Sequence, residues 1–202
     1  MAGRKQFDVD EALERSMRVF WERGYADTSL DLLGSATGLG RGSLYGTFGS
    51  KDALFRTCLD RYAAAYGARY EQALAAHSGE PVRAIEAFFA VTLDRIADRS
   101  APDGCLLAQS ASQSATLDAD SQRLIRAHLG AQRERVRGAL ASAPGVGGAE
   151  LDDLALYVVA VNQSLAVLGR AGTPLAELPA VARIACATVA DRLTRAAART
   201  TS

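Results

Sequence analysis

The chain has 202 residues, of which 49% are hydrophobic and 23% charged, and its 23 lysines and arginines balance 23 aspartates and glutamates. This composition is ordinary for a globular protein, and zero net charge excludes a chain that coats nucleic acid with its whole surface. Three cysteines without a C-x-x-C pair favour neither a disulfide framework nor a structural zinc site.

The first 49 residues carry the signals of three short helices. Asp8 begins a D-x-x-E capping pattern before the first helix, and Gly24 follows its last turn. We expect Thr28 to cap a second helix and Gly38 to end that helix in the left-handed conformation. A third helix is predicted over about 41–47. Two helices joined by such a tight turn are typical of a helix-turn-helix.

The third helix has an apolar side and a side suited to DNA. Leu44 and Phe48, four residues apart, anchor it inward. The outward positions are then Arg41, Gly42, Ser43, Tyr45 and Thr47. Arginine at position 41 suits a guanine edge, while the Tyr45 hydroxyl and the Lys51 ammonium suit phosphate oxygens. Arg4 and Lys5 add local positive charge on the N-terminal arm.

The stretch T-S-L-D-L-L-G-S-A-T-G-L-G-R-G-S-L-Y-G-T-F-G-S-K-D-A-L-F resembles the DNA-binding region of TetR-family regulators. The pattern covers residues 12–59, and Gly104-Cys105-Leu106-Leu107 is similar to the start of helix six in many members. The resemblance implies a homodimer on a palindromic operator, with a small-molecule site in the C-terminal body. It assigns base-facing roles to Arg41, Gly42, Ser43 and Thr47, and phosphate contacts to Thr28, Tyr45 and Lys51.

Helical signals continue to the end of the chain. A fourth helix is predicted over 50–77, followed by helices over roughly 82–99, 104–115, 119–142, 150–169 and 177–198. The predicted fold is all-α with about nine helices. We expect a helix-turn-helix DNA-binding domain over 1–49 and a helical effector-binding and dimerisation domain over 50–202, connected by the helix 50–77.

The last two predicted helices indicate dimerisation. Residues 150–169 are apolar nearly all round, and residues 177–198 carry a long apolar stripe. Two such helices from each subunit form a four-helix bundle around a twofold axis. The apolar run is interrupted at positions 162–164 and the N-terminus is polar, so we expect a cytoplasmic protein without a membrane span.

Polar residues in apolar surroundings suggest an effector pocket, because a ligand can satisfy buried amides and hydroxyls. The expected pocket residues are Thr92, Cys105, Gln109, Gln113 and Asn162. Bonding to neighbouring helices is the alternative for them. Phe88, Phe89 and Leu93 indicate a small, largely apolar effector, whose identity the sequence does not reveal.

The sequence therefore predicts a ligand-responsive transcriptional repressor, released from its operator by this effector. An interaction module without specific DNA binding is one alternative, because Gly46 replaces a larger residue in the third helix. A redox or electrophile sensor based on Cys105 is another. We expect no metal, no cofactor and no enzymatic activity, since paired carboxylates, Glu-x-x-His ligands and an activated nucleophile are not recognisable.

Overall fold

A computed structural model describes residues 8–200, which form an all-helical protein without strands in that range. The N-terminal helices are α1 (Val9–Arg23), α2 (Leu30–Thr37) and α3 (Arg41–Phe48). The body contains α4 (Lys51–Ala75), α5 (Pro81–Ala97), α6 (Leu106–Ser112), α7 (Ala119–Leu140), α8 (Gly148–Arg170) and α9 (Leu178–Thr200). A short 3₁₀ turn, Ser114–Thr116, follows α6. The all-α prediction is confirmed, and the helix ends lie within a few residues of those expected.

Local capping explains where the first helices begin and end. The Asp8 carboxylate accepts from the N–H groups of Asp10 and Glu11, and Gly24 ends α1 with a positive φ of 81°. The second helix differs from the prediction in its cap. Ser29, whose hydroxyl accepts from the N–H of Leu32 at 3.2 Å, begins α2 in place of Thr28.

Two hydrophobic clusters stabilise the fold. One joins α5, α7, α8 and α9 to the end of α4, around the buried rings of Phe88 and Phe89. The other joins α1, α2, α3 and the beginning of α4, and it also takes in Cys105, Leu106 and Ala166 from α6 and α8. The N-terminal helices therefore pack on the body through a shared core.

Two long helices organise the molecule. The 25 residues of α4 span about 37 Å, from the end of α3 into the centre of the body. Among the described helices, α8 alone has the length and apolar composition of a membrane-crossing segment, with 44% of the relevant window buried inside the protein. Core helices of soluble proteins share these properties, and α8 packs against α5, α7 and α9.

Candidate nucleic-acid interface and ligand cavity

The turn between α2 and α3 holds the two helices in a fixed relation. Gly38 adopts the predicted left-handed conformation, with φ 73° and ψ 15°, and its N–H donates to the carbonyl of Gly34 at 2.8 Å. Leu33 of α2 and Leu44 of α3 are buried on the inner side. This packing directs the opposite face of α3 away from the protein.

The outward face of α3 is exposed as the sequence predicts. Its exposed residues are Arg41, Gly42, Ser43, Tyr45, Gly46 and Thr47. Tyr45 leaves 47% of its surface accessible although it is aromatic. Apart from the neighbouring backbone of α3 itself, no described atom lies within 4 Å of a Cβ built at Gly42 or Gly46, so both glycines leave the surface of α3 open. A short helix with an open outer face and a buried anchor can enter a major groove.

Arg41, expected to read a base, is held by Asp31 of α2. Its Nε donates to Oδ1 at 3.0 Å and its Nη2 donates to Oδ2 at 2.8 Å. This hydrogen bond raises the pKa of Arg41. Both side chains are mostly exposed, so water and salt screen the pair and its net contribution to stability is small. Sequence reasoning missed this partner because α2 and α3 meet only in the fold.

Lys51 lies at the first position of α4, beside α3. Its Nζ is 4.1 Å from the centroid of the Tyr25 ring, and partial burial lowers the pKa of its ammonium group. The Tyr25 hydroxyl donates to Asp52, and burial together with this bond raises the pKa of Tyr25. Lys51 is therefore held in place at the edge of the exposed α3 face.

Three of the expected DNA-binding residues stand apart from the rest. Thr28 is only 1% exposed, and its hydroxyl donates to the carbonyl of Gly24 at 2.6 Å. Its side chain is a buried link between α1 and α2, so the expected phosphate contact by this side chain is wrong. Arg4 and Lys5 lie outside the described residues.

The expected pocket residues Thr92 and Asn162 lie in the core. The Thr92 hydroxyl donates to the Asn162 Oδ1 at 2.6 Å and lies 2.6 Å from the Tyr70 hydroxyl. Asn162 Nδ2 donates to the same Tyr70 oxygen at 3.4 Å. The three side chains, from α4, α5 and α8, form a closed buried network. The alternative, bonding to neighbouring helices, therefore describes Thr92 and Asn162, which corrects their assignment to a pocket.

Gln109, Gln113 and Cys105 line a different region, which we call the junction cavity. This cavity of about 520 Å³ lies between α1, α6 and the end of α8, and Arg23 and Arg170 also line it. The Gln113 Oε1 accepts from the N–H of Tyr25 at 3.1 Å. The Gln109 Oε1 is buried and finds no hydrogen-bond partner among the described residues. The five expected residues therefore do not surround one site.

A second cavity, which sequence reasoning missed, lies between α4, α7 and α8. We call it the tyrosine-lined cavity, because Tyr62, Tyr66 and Tyr70 line it together with Cys105 and Gln163. Its volume is about 330 Å³, within the range of small-molecule sites. The three tyrosines are spaced by four residues on α4, and that spacing was the signal available in the sequence.

Arg95 of α5 lies close to this cavity and was also missed. It is 2% exposed, and its Nη1 donates to the carbonyl of Gly104. Its titratable neighbours include Tyr62, Tyr66, Tyr70 and Cys105, all of which line the tyrosine-lined cavity, whereas Arg95 itself does not. A buried arginine is rare unless it is paired.

Comparisons of the sequence with known proteins identify relatives among bacterial transcriptional regulators. Residues 12–58 match the family model described as bacterial regulatory proteins, tetR family. The HTH-type transcriptional repressor ComR of Escherichia coli (strain K12) is 28% identical over 182 residues, which cover 88% of this chain and 87% of that protein. The uncharacterized HTH-type transcriptional regulator YezE of Bacillus subtilis (strain 168) is 34% identical over 111 residues, covering 55% of this chain and 57% of that protein.

Solved structures extend the similarity over nearly the whole chain. A cysteine mutant of the TetR family transcriptional regulator CifR, complexed with a 26-base-pair double-strand operator DNA, is 30% identical. Its TM-score is 0.78, with 91% of this chain and 97% of that chain covered. A TetR transcriptional regulator from Chloroflexus aurantiacus J-10-FL has a TM-score of 0.79 at 24% identity, covering 90% of this chain and 93% of that chain, and so shares the fold.

Proposed function

The chain belongs to the TetR family of bacterial transcriptional regulators, and on that premise we propose that it is a cytoplasmic, ligand-responsive repressor that binds a palindromic operator as a homodimer. Proteins of this family are non-enzymatic regulators that bind DNA. The name of ComR as a repressor and the operator complex of CifR support the repressor role and the DNA partner. We assign DNA binding to residues 1–49 and effector binding and dimerisation to residues 50–202.

The exposed face of α3 is the observation that carries the DNA-binding role. Leu44 anchors α3 in the core while Arg41, Ser43 and Thr47 remain accessible, so the helix can reach base edges without refolding. Tyr45 and Lys51 are placed to contact phosphates beside it. Gly42 allows close approach between helix and groove, because no side chain separates them.

The exposed apolar side chains of α8 and α9 support the homodimer. Val167 on α8 is 58% exposed and Ile184 on α9 is 64% exposed, and Leu156 of α8 is similarly accessible. Large apolar side chains on two adjacent helices favour burial against a second copy. A dimer through these helices would separate the two recognition helices by about one turn of DNA, roughly 34–36 Å.

The effector site is assigned to the tyrosine-lined cavity, which replaces the pocket expected from the sequence. A molecule bound there would lie against α7, α8 and α4, the helix that leads to α3. A ligand changes operator affinity only if it binds one arrangement of the dimer more tightly than the other. Release of DNA would follow if the effector favours the arrangement that does not fit the operator.

A cysteine-based sensor is the second candidate. Cys105 lines both the tyrosine-lined cavity and the junction cavity, so modification of its sulfur would affect both places. Cys58 is fully buried, and burial raises the pKa of its thiol, which makes it a poor nucleophile. Alkylation of the native protein followed by mass spectrometry distinguishes the candidates. A sensor requires selective modification at Cys105 with loss of operator binding.

The test of the main proposal begins with genomic fragments recovered on the purified protein, followed by mobility-shift titrations at several salt concentrations. A regulator gives a specific complex whose log affinity falls with log salt. Ile184→Arg should prevent dimerisation and weaken operator binding, whereas Ala141→Arg, a change at the exposed residue that follows α7, should do neither. A monomer that still binds the full operator contradicts the dimer. Absence of any specific shift favours the interaction module.

A further inference from the structure

Arg95 is a buried cation without a counter-charge. The only hydrogen bond of its side chain within the described chain runs from Nη1 to the carbonyl of Gly104, and its Nε has no partner there. No carboxylate in residues 8–200 forms an ion pair with it. The guanidinium remains charged at any pH at which the protein folds. Burial of such a charge is strongly unfavourable without an anion or a full set of acceptors.

The polar neighbours of Arg95 coincide with one end of the tyrosine-lined cavity. Its guanidinium carbon lies 5.5 Å from the centroid of the Tyr66 ring. Tyr62, Tyr70 and Cys105, which line the same cavity, are its titratable neighbours. Burial raises the pKa of Tyr62, so its hydroxyl stays neutral and does not supply the missing negative charge. Arg95 itself does not line the cavity, but it contacts the wall through Tyr66, so the uncompensated charge lies next to the cavity.

A second unpaired group belongs to a residue in the wall of the same cavity, on α8. Gln163 lines the cavity and donates from Nε2 to the Oε1 of Gln132 at 2.8 Å, but its own Oε1 is buried and has no partner within residues 8–200. This oxygen requires a hydrogen-bond donor. Asp60, a carboxylate in the wall, is already bound by His128 at 2.9 Å. Arg135, a second guanidinium in the wall, lies 3.9 Å from Glu71, so within the described residues the groups at this cavity that lack a partner are Arg95 and the Gln163 oxygen.

We propose that the tyrosine-lined cavity binds a small aromatic acid. The acid group compensates Arg95, the ring packs among the tyrosines, and a hydroxyl or amine on the ring donates to the Oε1 of Gln163. Tyr62 and Tyr66, with ring centroids 4.7 Å apart, form an apolar wall suited to a flat molecule. The inference rests on the proposed effector site, and it replaces the largely apolar effector expected from the sequence.

Three probes of nearly equal shape test the proposal by calorimetry on the full chain without DNA. 4-Hydroxybenzoate carries both groups, 4-hydroxybenzamide lacks the charge, and benzoate lacks the donor. We expect 4-hydroxybenzoate to bind roughly tenfold or more tightly than the amide and several-fold more tightly than benzoate. Equal binding of acid and amide, or no binding of either acid at millimolar concentration, overturns the proposal.

Variants identify the groups involved. Arg95→Met should abolish the preference for the acid, whereas Arg69→Met should preserve it. Arg69 is the matched control because its guanidinium carbon lies 5.4 Å from the same Tyr66 ring but is exposed. Should Arg95→Met fail to fold, Gln163→Leu tests the second contact. This variant should bind 4-hydroxybenzoate and benzoate with equal affinity. A preference for the hydroxyl that survives Gln163→Leu contradicts the assignment.

These measurements separate the inference from the proposed function. An acid that binds the cavity without changing operator affinity supports the inference and contradicts release by the effector. If the protein binds its operator specifically but binds the acid and the amide with equal affinity, the inference is overturned and the proposed regulatory function stands.

Discussion

The guanidinium of Arg170, the last residue of α8, donates from Nη1 to the main-chain carbonyl of Trp21 in the last turn of α1 at 3.1 Å. Its Nη2 donates to the neighbouring carbonyl of Glu22 at 2.7 Å. Carbonyls at the end of a helix have no partner within the helix, and they favour a cation. Together with the bond from Tyr25 N–H to Gln113, this contact sets how the N-terminal helices sit on the body.

Arg170→Ala should therefore loosen this junction. We expect a loss of about 1–2 kcal/mol in the free energy of unfolding, because three carbonyl contacts of a cation disappear, to Trp21, Glu22 and Asp103. Operator affinity should fall several-fold more than in Arg126→Ala, which removes an exposed arginine from α7. Urea unfolding and mobility-shift titration measure the two effects. Unchanged operator binding in Arg170→Ala would show that the contact does not position α3.

The pair of Arg41 and Asp31 leads to a prediction about base reading. Arg41→Ala should relax the preference at one base pair by about 1–3 kcal/mol. Asp31→Asn should strengthen binding to every sequence a few-fold, because it removes a negative charge beside α3 and frees the guanidinium. Binding of a library of operator variants gives both profiles. An unchanged profile for Arg41→Ala removes this arginine from the base-reading residues.

Lys51 and Thr28 form a matched test of phosphate contacts. Lys51→Ala should weaken binding to all DNA and reduce the slope of log affinity against log salt by about 0.9 per lost contact. Thr28→Val should leave that slope unchanged and lower the free energy of unfolding by about 1 kcal/mol, since the hydroxyl bonded to Gly24 is lost. A changed salt slope in Thr28→Val would restore Thr28 as a phosphate contact.

The buried network of Tyr70, Thr92 and Asn162 should contribute to stability. Asn162→Leu leaves the hydroxyls of Tyr70 and Thr92 without their amide partner, so we expect a loss of about 1–3 kcal/mol in the free energy of unfolding. Ser164→Ala, two residues along on the exposed side of α8, should change it by less than about 0.5 kcal/mol. Equal effects of the two changes, measured by urea unfolding, would contradict a structural role for the network.

The helices were predictable from the sequence because their signals are local. Asp8, Gly24 and Gly38 determine helix ends through bonds to residues no more than four positions away. The assignment of Thr28 as a cap failed for a related reason. Thr28 and Ser29 are adjacent hydroxyl residues, and in the fold Thr28 bonds back to Gly24 while Ser29 caps α2.

The ligand site was not predictable in the same way. Polar residues in apolar stretches, such as Thr92 and Asn162, look alike whether they bond to each other or to a ligand. The sequence gives no sign that Arg95 is buried, because an arginine near the end of a helix usually keeps its guanidinium in water. Whether Arg95 has a partner depends on the residues that α4 and α6 bring next to it. The absence of a carboxylate among them is therefore visible only in the packed structure.

The length of α4 has a mechanical consequence. Tyr66 in the cavity wall and Lys51 beside the recognition helix lie on one continuous helix, about 22 Å apart along its axis. A tilt of roughly 5° about the cavity would displace Lys51 by about 2 Å at that distance. A ligand no larger than a benzene ring that tilts α4 in this way would thus shift the residues beside each recognition helix by a large part of a base-pair step. The displacement follows from the length of α4 alone.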